Sequence, residues 1–480
     1  MKKGLKLLKA LCLTLTVGAV CLTLTACNGN QTVRDSGHTI VFYNTMGDKL
    51  QKPLQSAIDA FQTKFPGWKV ESVQPGGYDE VKSKVISDLS AGTQPDLAYC
   101  YADHVAQYIP SGKVVNMGAF INNTNKLKTT VLEGENWVEK EFDEVIGYSE
   151  AEIADFVPGY YAEGFASNYA KYSEYGFAET DMLTMPFQKS TEVLFYNANA
   201  LKELGEVDAD GNVVVPDNWD DLWRVCKLAK TKWPSCTPLG YDSESNWFIT
   251  TCQQNGWGYT SADENHYLFN NENTKAWLAD LQVKYKEGLF TTSEIYDAYT
   301  SNLFVKGVEA GGTLFTIGSS GGASYQATDK FVWGVAPIPG AKQADGTIKK
   351  AAISQGPSLV MLKTSAGNTD EKQLMTWEFM KILLDPVYQC KFAGTSGYMP
   401  SRVSAYDVPE YQELLSDTSN IVVATVLCAK SMNDIYFTSP AFNGSSNARD
   451  QVGSVIIYVA TGVKTPAKAL DEAYKRCGGK

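Results

Sequence analysis

Histidine is scarce in this sequence, since only His38, His104 and His266 occur among its 480 residues. The three are scattered and have no second ligand at helical spacing, so no metal site is expected. Cysteine pairs at C-x-x-C spacing are also missing, which excludes the common zinc and redox motifs. We therefore expect neither a metal nor a cofactor.

Long apolar runs are confined to the amino-terminal segment. After it, no stretch approaches the roughly 18 uninterrupted apolar residues of a membrane-spanning helix. Positive charge is not in excess either: the formal net charge is -12, which disfavours nucleic acid as a partner. The length allows one very large domain, and two medium domains, each with its own hydrophobic core, are the favoured interpretation.

The amino terminus has the features of a bacterial signal peptide. Lysines precede an apolar stretch over residues 10–26, and the stretch ends in Leu-Thr-Ala-Cys27, which resembles the lipobox before a lipid-modified cysteine. We expect residues 1–27 to be the signal, Cys27 to carry the lipid, and residues 28–37 to form a flexible tether. The protein is then anchored to the outer face of the cytoplasmic membrane by lipid alone. An ordinary secretory peptide is the alternative.

Seven cysteines follow the signal segment, an odd number that cannot all pair with one another. Cys226, Cys236 and Cys252 are close enough in sequence for one disulfide. Buried free thiols are the favoured interpretation, because unpaired cysteine is often buried as a small apolar side chain.

Strand-like and helix-like patterns alternate from His38 onward. Short β-branched and aromatic runs over residues 38–44, 68–73 and 96–101 are separated by two amphipathic segments, which predicts a mostly parallel sheet with helices on its faces. Ligands gather at the carboxyl ends of such strands, where Asn44, Tyr78 and Tyr101 follow. The acidic stretch 134–155 predicts a surface helix with a solvated charged face.

The stretch Leu314 to Tyr325 contains a Gly-x-Ser-x-Gly pattern around Ser320, as at the nucleophile of some hydrolases. That fold needs a histidine later in the chain, and all three histidines precede Ser320. A glycine-rich turn also lets a polar ligand approach the backbone closely, and it can equally be a tight connection without a ligand. Ser320 is therefore a weak nucleophile candidate and a better candidate for ligand contact.

Six segments in order resemble the family 1 extracellular solute-binding proteins of bacterial ABC importers; they are residues 60–99, 185–205, 216–230, 331–340, 379–402 and 462–476. The resemblance implies an α/β fold of two lobes (class II type) joined by a hinge that the chain crosses more than once, with the ligand between the lobes. We assign residues 38–160 and 306–352 to the amino-terminal lobe, 185–305 and 353–480 to the carboxyl-terminal lobe, and 161–184 to an interlobe connection.

The glycerol-3-phosphate-binding branch of the family is the most similar. Matching its cleft positions implies a ligand-binding set that comprises Tyr78, Ser190, Trp247, Ser319, Ser320, Gly356 and Tyr398. We add Asn44, Tyr101 and Asp103, because a carboxylate near the third strand can accept sugar hydroxyls. Phe442 stands where the branch has an arginine. Trp247 has a core role as its alternative.

The resemblance implies a monomeric binding protein, not an enzyme, that captures a small molecule and delivers it to an ABC permease. Two features favour a neutral mono- or oligosaccharide as the ligand: the absence of the expected arginine and the presence of additional aromatic residues. Glycerol-3-phosphate or a glycerophosphodiester is the alternative. A secreted serine hydrolase that uses Ser320 and a structural lipoprotein with a degenerate cleft are weaker alternatives.

Overall fold

The structure is a computed structural model, and it describes residues 37–263, 265–363 and 369–479. The expected signal segment, Cys27 and all but the last residue of the tether lie outside the described residues. No helix within them is both long and apolar enough to cross a membrane.

The strands of the described residues are β1 (Thr39–Tyr43), β2 (Lys69–Val73), β3 (Leu97–Cys100), β4 (Lys126–Glu133), β5 (Asn136–Val145), β6 (Met185–Pro186), β7 (Gln188–Lys189), β8 (Glu192–Asn197), β9 (Leu239–Tyr241), β10 (Phe290–Thr292), β11 (Phe315–Ser319), β12 (Trp333–Pro337), β13 (Ala341–Lys342), β14 (Ile348–Lys349), β15 (Ala352–Ile353), β16 (Ser358–Met361), β17 (Met399–Pro400) and β18 (Tyr436–Phe437).

The α-helices of the same residues are α1 (Asp48–Lys64), α2 (Tyr78–Ala91), α3 (Ala102–Tyr108), α4 (Gly118–Ile121), α5 (Glu150–Ala154), α6 (Pro158–Ala162), α7 (Ala198–Glu203), α8 (Trp219–Lys232), α9 (Glu244–Asn255), α10 (Glu272–Lys286), α11 (Ser293–Tyr296), α12 (Ser301–Phe304), α13 (Thr369–Leu383), α14 (Pro386–Ser396), α15 (Pro409–Leu415), α16 (Ile421–Lys430), α17 (Ser445–Ala460) and α18 (Pro466–Arg476).

Lobe 1 is built on a sheet of strand order β2-β1-β3-β16-β6. The predicted parallel arrangement of β1, β2 and β3 is present, and β16 joins antiparallel to β3. Helix α1 buries Leu54, Ile58 and Phe61 against this sheet, as the 3.6-residue spacing of its apolar residues predicts.

Lobe 2 is built on a second sheet of order β10-β9-β11-β8-β12. Strand β9 pairs in parallel with β10 and β11, whereas β8 runs antiparallel to β11 and β12. Helices α8, α9, α10, α17 and α18 contribute to one core on this sheet, and α16 packs on β8 and β12. All seven cysteines after the signal segment are free thiols.

The chain crosses between the two sheets more than once, as expected, but at other points than the assigned ranges. Strands β11 and β12 belong to the second sheet, although residues 306–352 were assigned to the first lobe. Strand β16 and the helix α13 packed on it belong to lobe 1, although 353–480 was assigned to the second lobe. Long-range strand pairing decides this membership, and local periodicity carries no sign of it.

The acidic stretch contributes the turn and the second strand of a β-hairpin, so the prediction of a surface helix for residues 134–155 is wrong over most of its length. Strands β4 and β5 pair antiparallel around Gly134, whose φ of 62° suits a tight turn. Val138 and Phe142 are partly buried against the lobe 1 core while neighbouring charged residues are exposed. Only the short α5 at its end is helical, begun by a Ser149–Glu152 capping box.

Candidate functional site

A cavity of about 280 Å³ lies between the two sheets. The amino-terminal ends of α2 and α3 reach it from lobe 1, and those of α9 and α17 reach it from lobe 2. In α2, α3 and α17 the residue before the helix makes no side-chain cap. In these three helices some first-turn N–H groups, such as those of His104 and Ser445, bond to backbone carbonyls, and the others can donate to ligand oxygen atoms, which the helix dipoles also favour.

Tyrosine rings form the wall on the lobe 1 side. The rings of Tyr78 and Tyr101 are 4.6 Å apart between centroids and inclined by 36°. The hydroxyl of Tyr78 lies 3.4 Å from that of Tyr398. Burial raises the pKa of both Tyr78 and Tyr101, so their hydroxyls stay neutral and able to donate hydrogen bonds.

His104 and Asp103 extend this wall at the start of α3. His104 is 3% exposed, and its Nδ1 has no hydrogen-bond partner among the described residues. Its Nε2 lies 3.9 Å from the Asp103 carboxylate. Burial lowers the pKa of His104, which keeps the imidazole neutral at pH 7. The Nδ1 of His104 is thus a buried polar atom without a partner among the described residues, in a side chain that lines the cavity.

Helix α17 supplies the opposite wall with Ser445, Ser446, Arg449 and Asp450. Residues 445 and 449 are four apart and so share one helix face. The Arg449 guanidinium hydrogen-bonds to the side-chain oxygen of Asn246, which fixes its position at the cavity.

A buried carboxylate supports this arginine from behind. The Asn246 amide donates to Glu192 at 3.0 Å, and the hydroxyl of Tyr241 donates to the other Glu192 oxygen at 2.6 Å. Burial raises the pKa of Glu192 from 4.5 to about 7. Arg449 is therefore the cavity-facing end of a hydrogen-bond network that continues into the core of lobe 2.

The base of the cavity is formed by the segments that connect the lobes. Ser190 and Gln355 exchange backbone hydrogen bonds of 2.9 and 2.8 Å, so two crossing segments pair with each other. Lys189 lines the cavity but bonds to Glu163 at 2.6 Å, and Ser354 donates to the other Glu163 oxygen at 2.6 Å. The Lys189 charge is thus largely neutralised within the protein.

The lobes also touch on either side of the cavity. Lys82 on α2 donates to Ser446 on α17 at 2.8 Å and pairs with Asp79 at 2.7 Å. Lys49 on α1 donates to Ser324 at 2.7 Å, in the turn that follows β11. A ligand in the cavity therefore contacts both lobes at once.

Comparison with known proteins identifies this architecture. A model of the bacterial extracellular solute-binding protein family matches residues 56–415. The chain belongs to this family. Its members are binding proteins that act outside the cytoplasm, as the two-lobed fold with an interlobe cavity also indicates.

Individual relatives bind different solutes. The sn-glycerol-3-phosphate-binding periplasmic protein of Yersinia pseudotuberculosis is 24% identical over 91% of both chains. Among solved structures, UgpB from Mycobacterium tuberculosis in complex with glycerophosphocholine matches with a TM-score of 0.69 and 17% identity, over 92% of this chain and 98% of that one. The GacH receptor of Streptomyces glaucescens, solved unliganded and with acarbose, matches with 0.68 and 16% over the same shares. These structural matches show the two-lobed fold.

The predicted ligand-binding residues of this solute-binding protein divide into three groups: residues that line the cavity, residues that adjoin it and residues that lie apart from it. Tyr78, Tyr101, Asp103 and Gly356 line the cavity, and Tyr398 reaches Tyr78. Two others adjoin it at the lobe connection, since the hydroxyls of Ser190 and Ser319 lie 3.4 Å apart. Outside the cavity lining are Asn44, Trp247, Ser320 and Phe442.

Trp247 and Phe442 are corrections to the predicted site. Trp247 is 1% exposed and stacks on Tyr241 at 4.7 Å, so its alternative core role is the observed one. Phe442 is 2% exposed and stacks on His266 at 4.3 Å. Both large apolar rings gain more from burial in lobe 2 than from a polar cleft.

Asn44 and Ser320 are also held inside the protein. The Asn44 side chain donates to Ser72 at 2.8 Å and accepts from the backbone N–H of Met46 at 3.0 Å, which closes the end of β1. Ser320 is fully buried, and its hydroxyl accepts from the backbone N–H of Thr191 at 3.3 Å. A 3-10 turn, not an α-helix, follows it, so the geometry of a nucleophile elbow is not formed.

Sequence reasoning missed Arg449, which brings a guanidinium to the cavity wall although Phe442 stands where an arginine was expected. A signal for it is present in the sequence: Gly444, Ser445 and Ser446 are typical of a helix start. An arginine three residues after Ser446 then lies one turn into the helix, on the face that carries Ser445.

Proposed function

We propose that this solute-binding protein captures a neutral, hydroxyl-rich ligand, a mono- or oligosaccharide, between its lobes and hands it unchanged to an ABC permease. The balance of charges at the cavity carries the proposal. Lys189 is paired with Glu163. Asp103, Asp450 and Arg449 remain at the wall, and among the described residues neither carboxylate pairs with a lysine or arginine.

Two carboxylates against one guanidinium leave the cavity negative. Such a field opposes a phosphate dianion and favours ligand hydroxyl groups, which donate hydrogen bonds to carboxylates. Tyr78 and Tyr101 supply flat rings for the C–H face of a sugar. A cavity of about 280 Å³ lies just below the roughly 300–1,000 Å³ of pockets that hold drug-sized ligands, so it suits a small ligand of one or two sugar rings.

Glycerol-3-phosphate or a glycerophosphodiester is the second candidate, and Arg449 is the observation that favours it. A guanidinium binds phosphate oxygens in bidentate fashion. The relatives named for glycerol-3-phosphate and glycerophosphocholine point the same way. A diester carries a single negative charge, so it is disfavoured less by Asp103 and Asp450 than a monoester is.

The proposal also states where the protein acts and that it does not alter its ligand. Export by the amino-terminal signal and lipid attachment at Cys27 would keep the protein at the outer face of the cytoplasmic membrane, within reach of the permease. It would work as a monomer and catalyse no reaction. The two lobes would close around the ligand, and the permease would recognise this closed form.

A thermal-shift screen tests the proposal. The chain from residue 28 onward is heated with maltose, longer maltooligosaccharides, other mono- and disaccharides, glycerol-3-phosphate and glycerophosphocholine. A ligand at about 100 times its Kd stabilises the folded form by about 2.7 kcal/mol, so we expect a clear rise of the Tm with a neutral saccharide. Asp103→Asn reduces that rise if the interlobe cavity is responsible. A rise only with the phosphate compounds would support the second candidate instead.

A further inference from the structure

A second cavity, of about 170 Å³, opens on the outer side of lobe 2 among α8, α9, α10 and β13. Helix α9 separates it from the cleft, which is the cavity of about 280 Å³ between the lobes. Ile249 faces the cleft, whereas Thr251 faces the second cavity. Two residues advance about 200° around an α-helix, so the two cavities lie on opposite sides of α9.

Tryptophan dominates the lining of this outer cavity, to which Trp219, Trp223, Trp247, Trp257 and Trp277 contribute. These are half of the ten tryptophans in the chain. The rings of Trp219, Trp223 and Trp247 are inclined to one another by only 24–28°, with centroids 5.9–6.3 Å apart. Trp247 is buried in the core, while the other four are partly exposed. The cavity therefore presents flat apolar ring surface.

Hydrogen-bond donors remain available on these rings. Within the described ranges, Trp219 donates its indole N–H to Gln254 at 2.9 Å, whereas those of Trp223, Trp257 and Trp277 have no protein acceptor. Indole N–H groups usually find a partner when buried, so these three, which have no protein acceptor, can donate to a ligand hydroxyl. Here they lie beside an open cavity.

Charges at the rim balance one another. Asp220, Asp280, Lys284 and Lys342 line the cavity. Lys284 pairs with Asp280 and also lies 5.2 Å above the Trp223 ring. Equal numbers of carboxylates and ammonium groups favour neither an anion nor a cation. They can bond to hydroxyl groups, as acceptors and as donors respectively.

We propose that this outer cavity binds one ring of a neutral saccharide, for example the terminal unit of a longer glycan. Aromatic faces, free indole donors and a charge-balanced rim suit a ring that has apolar C–H faces and hydroxyl edges. The volume admits one ring, because it falls below the roughly 300 Å³ at which drug-sized sites begin. The site is independent of the cleft and of lobe closure.

Fluorine NMR of protein labelled with 5-fluorotryptophan tests this proposal. Single Trp→Phe variants assign the signals, and Trp137, an exposed ring on lobe 1, is the internal control. The probes are the methyl glycosides of glucose, galactose and N-acetylglucosamine. We expect at least one of them to shift the Trp223, Trp257 and Trp277 signals while the Trp137 signal stays in place.

Two variants separate this site from the cleft. A cleft variant with Asp103→Asn and Arg449→Gln is expected to keep the shifts. Trp257→Ala is expected to weaken binding about two- to tenfold, the loss of one aromatic contact, and Trp257→Phe to restore part of it. Absence of any shift at the three rings, or its disappearance in the cleft variant, would overturn the proposal. Binding of acetate or tetramethylammonium in place of every glycoside would contradict the neutral ligand class.

Discussion

Replacing Glu192 by glutamine should change how the stability of the protein depends on pH. Glu192 is 1% exposed, and burial raises its pKa to about 7 in the folded protein, against 4.5 ordinarily. The folded state therefore binds more protons than the unfolded state between these two values. Stability is greatest at or below about pH 4.5 and is lost as pH rises through 7.

The size of this effect follows from the two pKa values. One unit of pKa difference corresponds to about 1.36 kcal/mol, so Glu192 should lower the free energy of unfolding by about 2–3 kcal/mol between pH 5 and pH 8. The glutamine side chain of the Glu192→Gln variant cannot ionise, so this decrease in the free energy of unfolding should be absent from the variant. Tyr241 and Asn246 can still bond to the amide.

Urea unfolding of the wild-type protein and the variant at pH 5, 6, 7 and 8 measures the difference. Glu378→Gln is the matched control in lobe 1, because burial also raises the pKa of Glu378 to about 7 but without a link to Arg449. We expect both variants to flatten the pH dependence, and only Glu192→Gln to alter ligand affinity through Arg449. Parallel pH curves for wild type and Glu192→Gln would refute the reasoning.

Three further predictions concern the cleft. Gly356→Ala should lower the Tm more than the control variant Gly92→Ala does. Both glycines have positive φ (89° and 73°), which costs an L-residue about 1–2 kcal/mol, but an added Cβ would collide with the Gln188 carbonyl only at Gly356. Equal decreases of the Tm in the two variants would contradict this. Asp103→Asn should weaken saccharide binding roughly 10- to 150-fold by calorimetry, the range for a bond to a charged group, and an unchanged Kd would exclude that contact. Arg449→Gln should weaken a neutral ligand no more than Asp103→Asn does, because both side chains are charged, and a much larger loss than that of Asp103→Asn would point to a phosphate.

The sequence predicted the elements that depend on local patterns. Strands β1, β2 and β3, helix α1 and the start of α18 at Pro466 are where periodicity and capping residues placed them. Tyr78, Tyr101 and Asp103 reach the cavity because they follow parallel strands, whose carboxyl ends meet at one edge of a sheet.

Features that depend on distant pairing could not be predicted in this way. Strand β16 pairs with β3, which lies more than 250 residues earlier in the chain. The Cys100 thiol, for example, donates a hydrogen bond to the Ser358 carbonyl. Strand β5 was mistaken for part of a helix, because its charged residues hide the alternation of buried and exposed side chains. Trp247 shows a further limit: an aromatic residue beside polar ones fits a cleft and a core equally well until the ring's neighbours are known.

Calorimetric titration at low and high salt concentration tests the central claim most directly. A neutral saccharide and glycerol-3-phosphate are titrated into the wild-type protein under both conditions. We predict that a neutral saccharide binds the interlobe cavity with a Kd that hardly changes with salt, because no net ligand charge is screened. Binding of glycerol-3-phosphate alone, with an affinity that falls as salt is added, would contradict this claim.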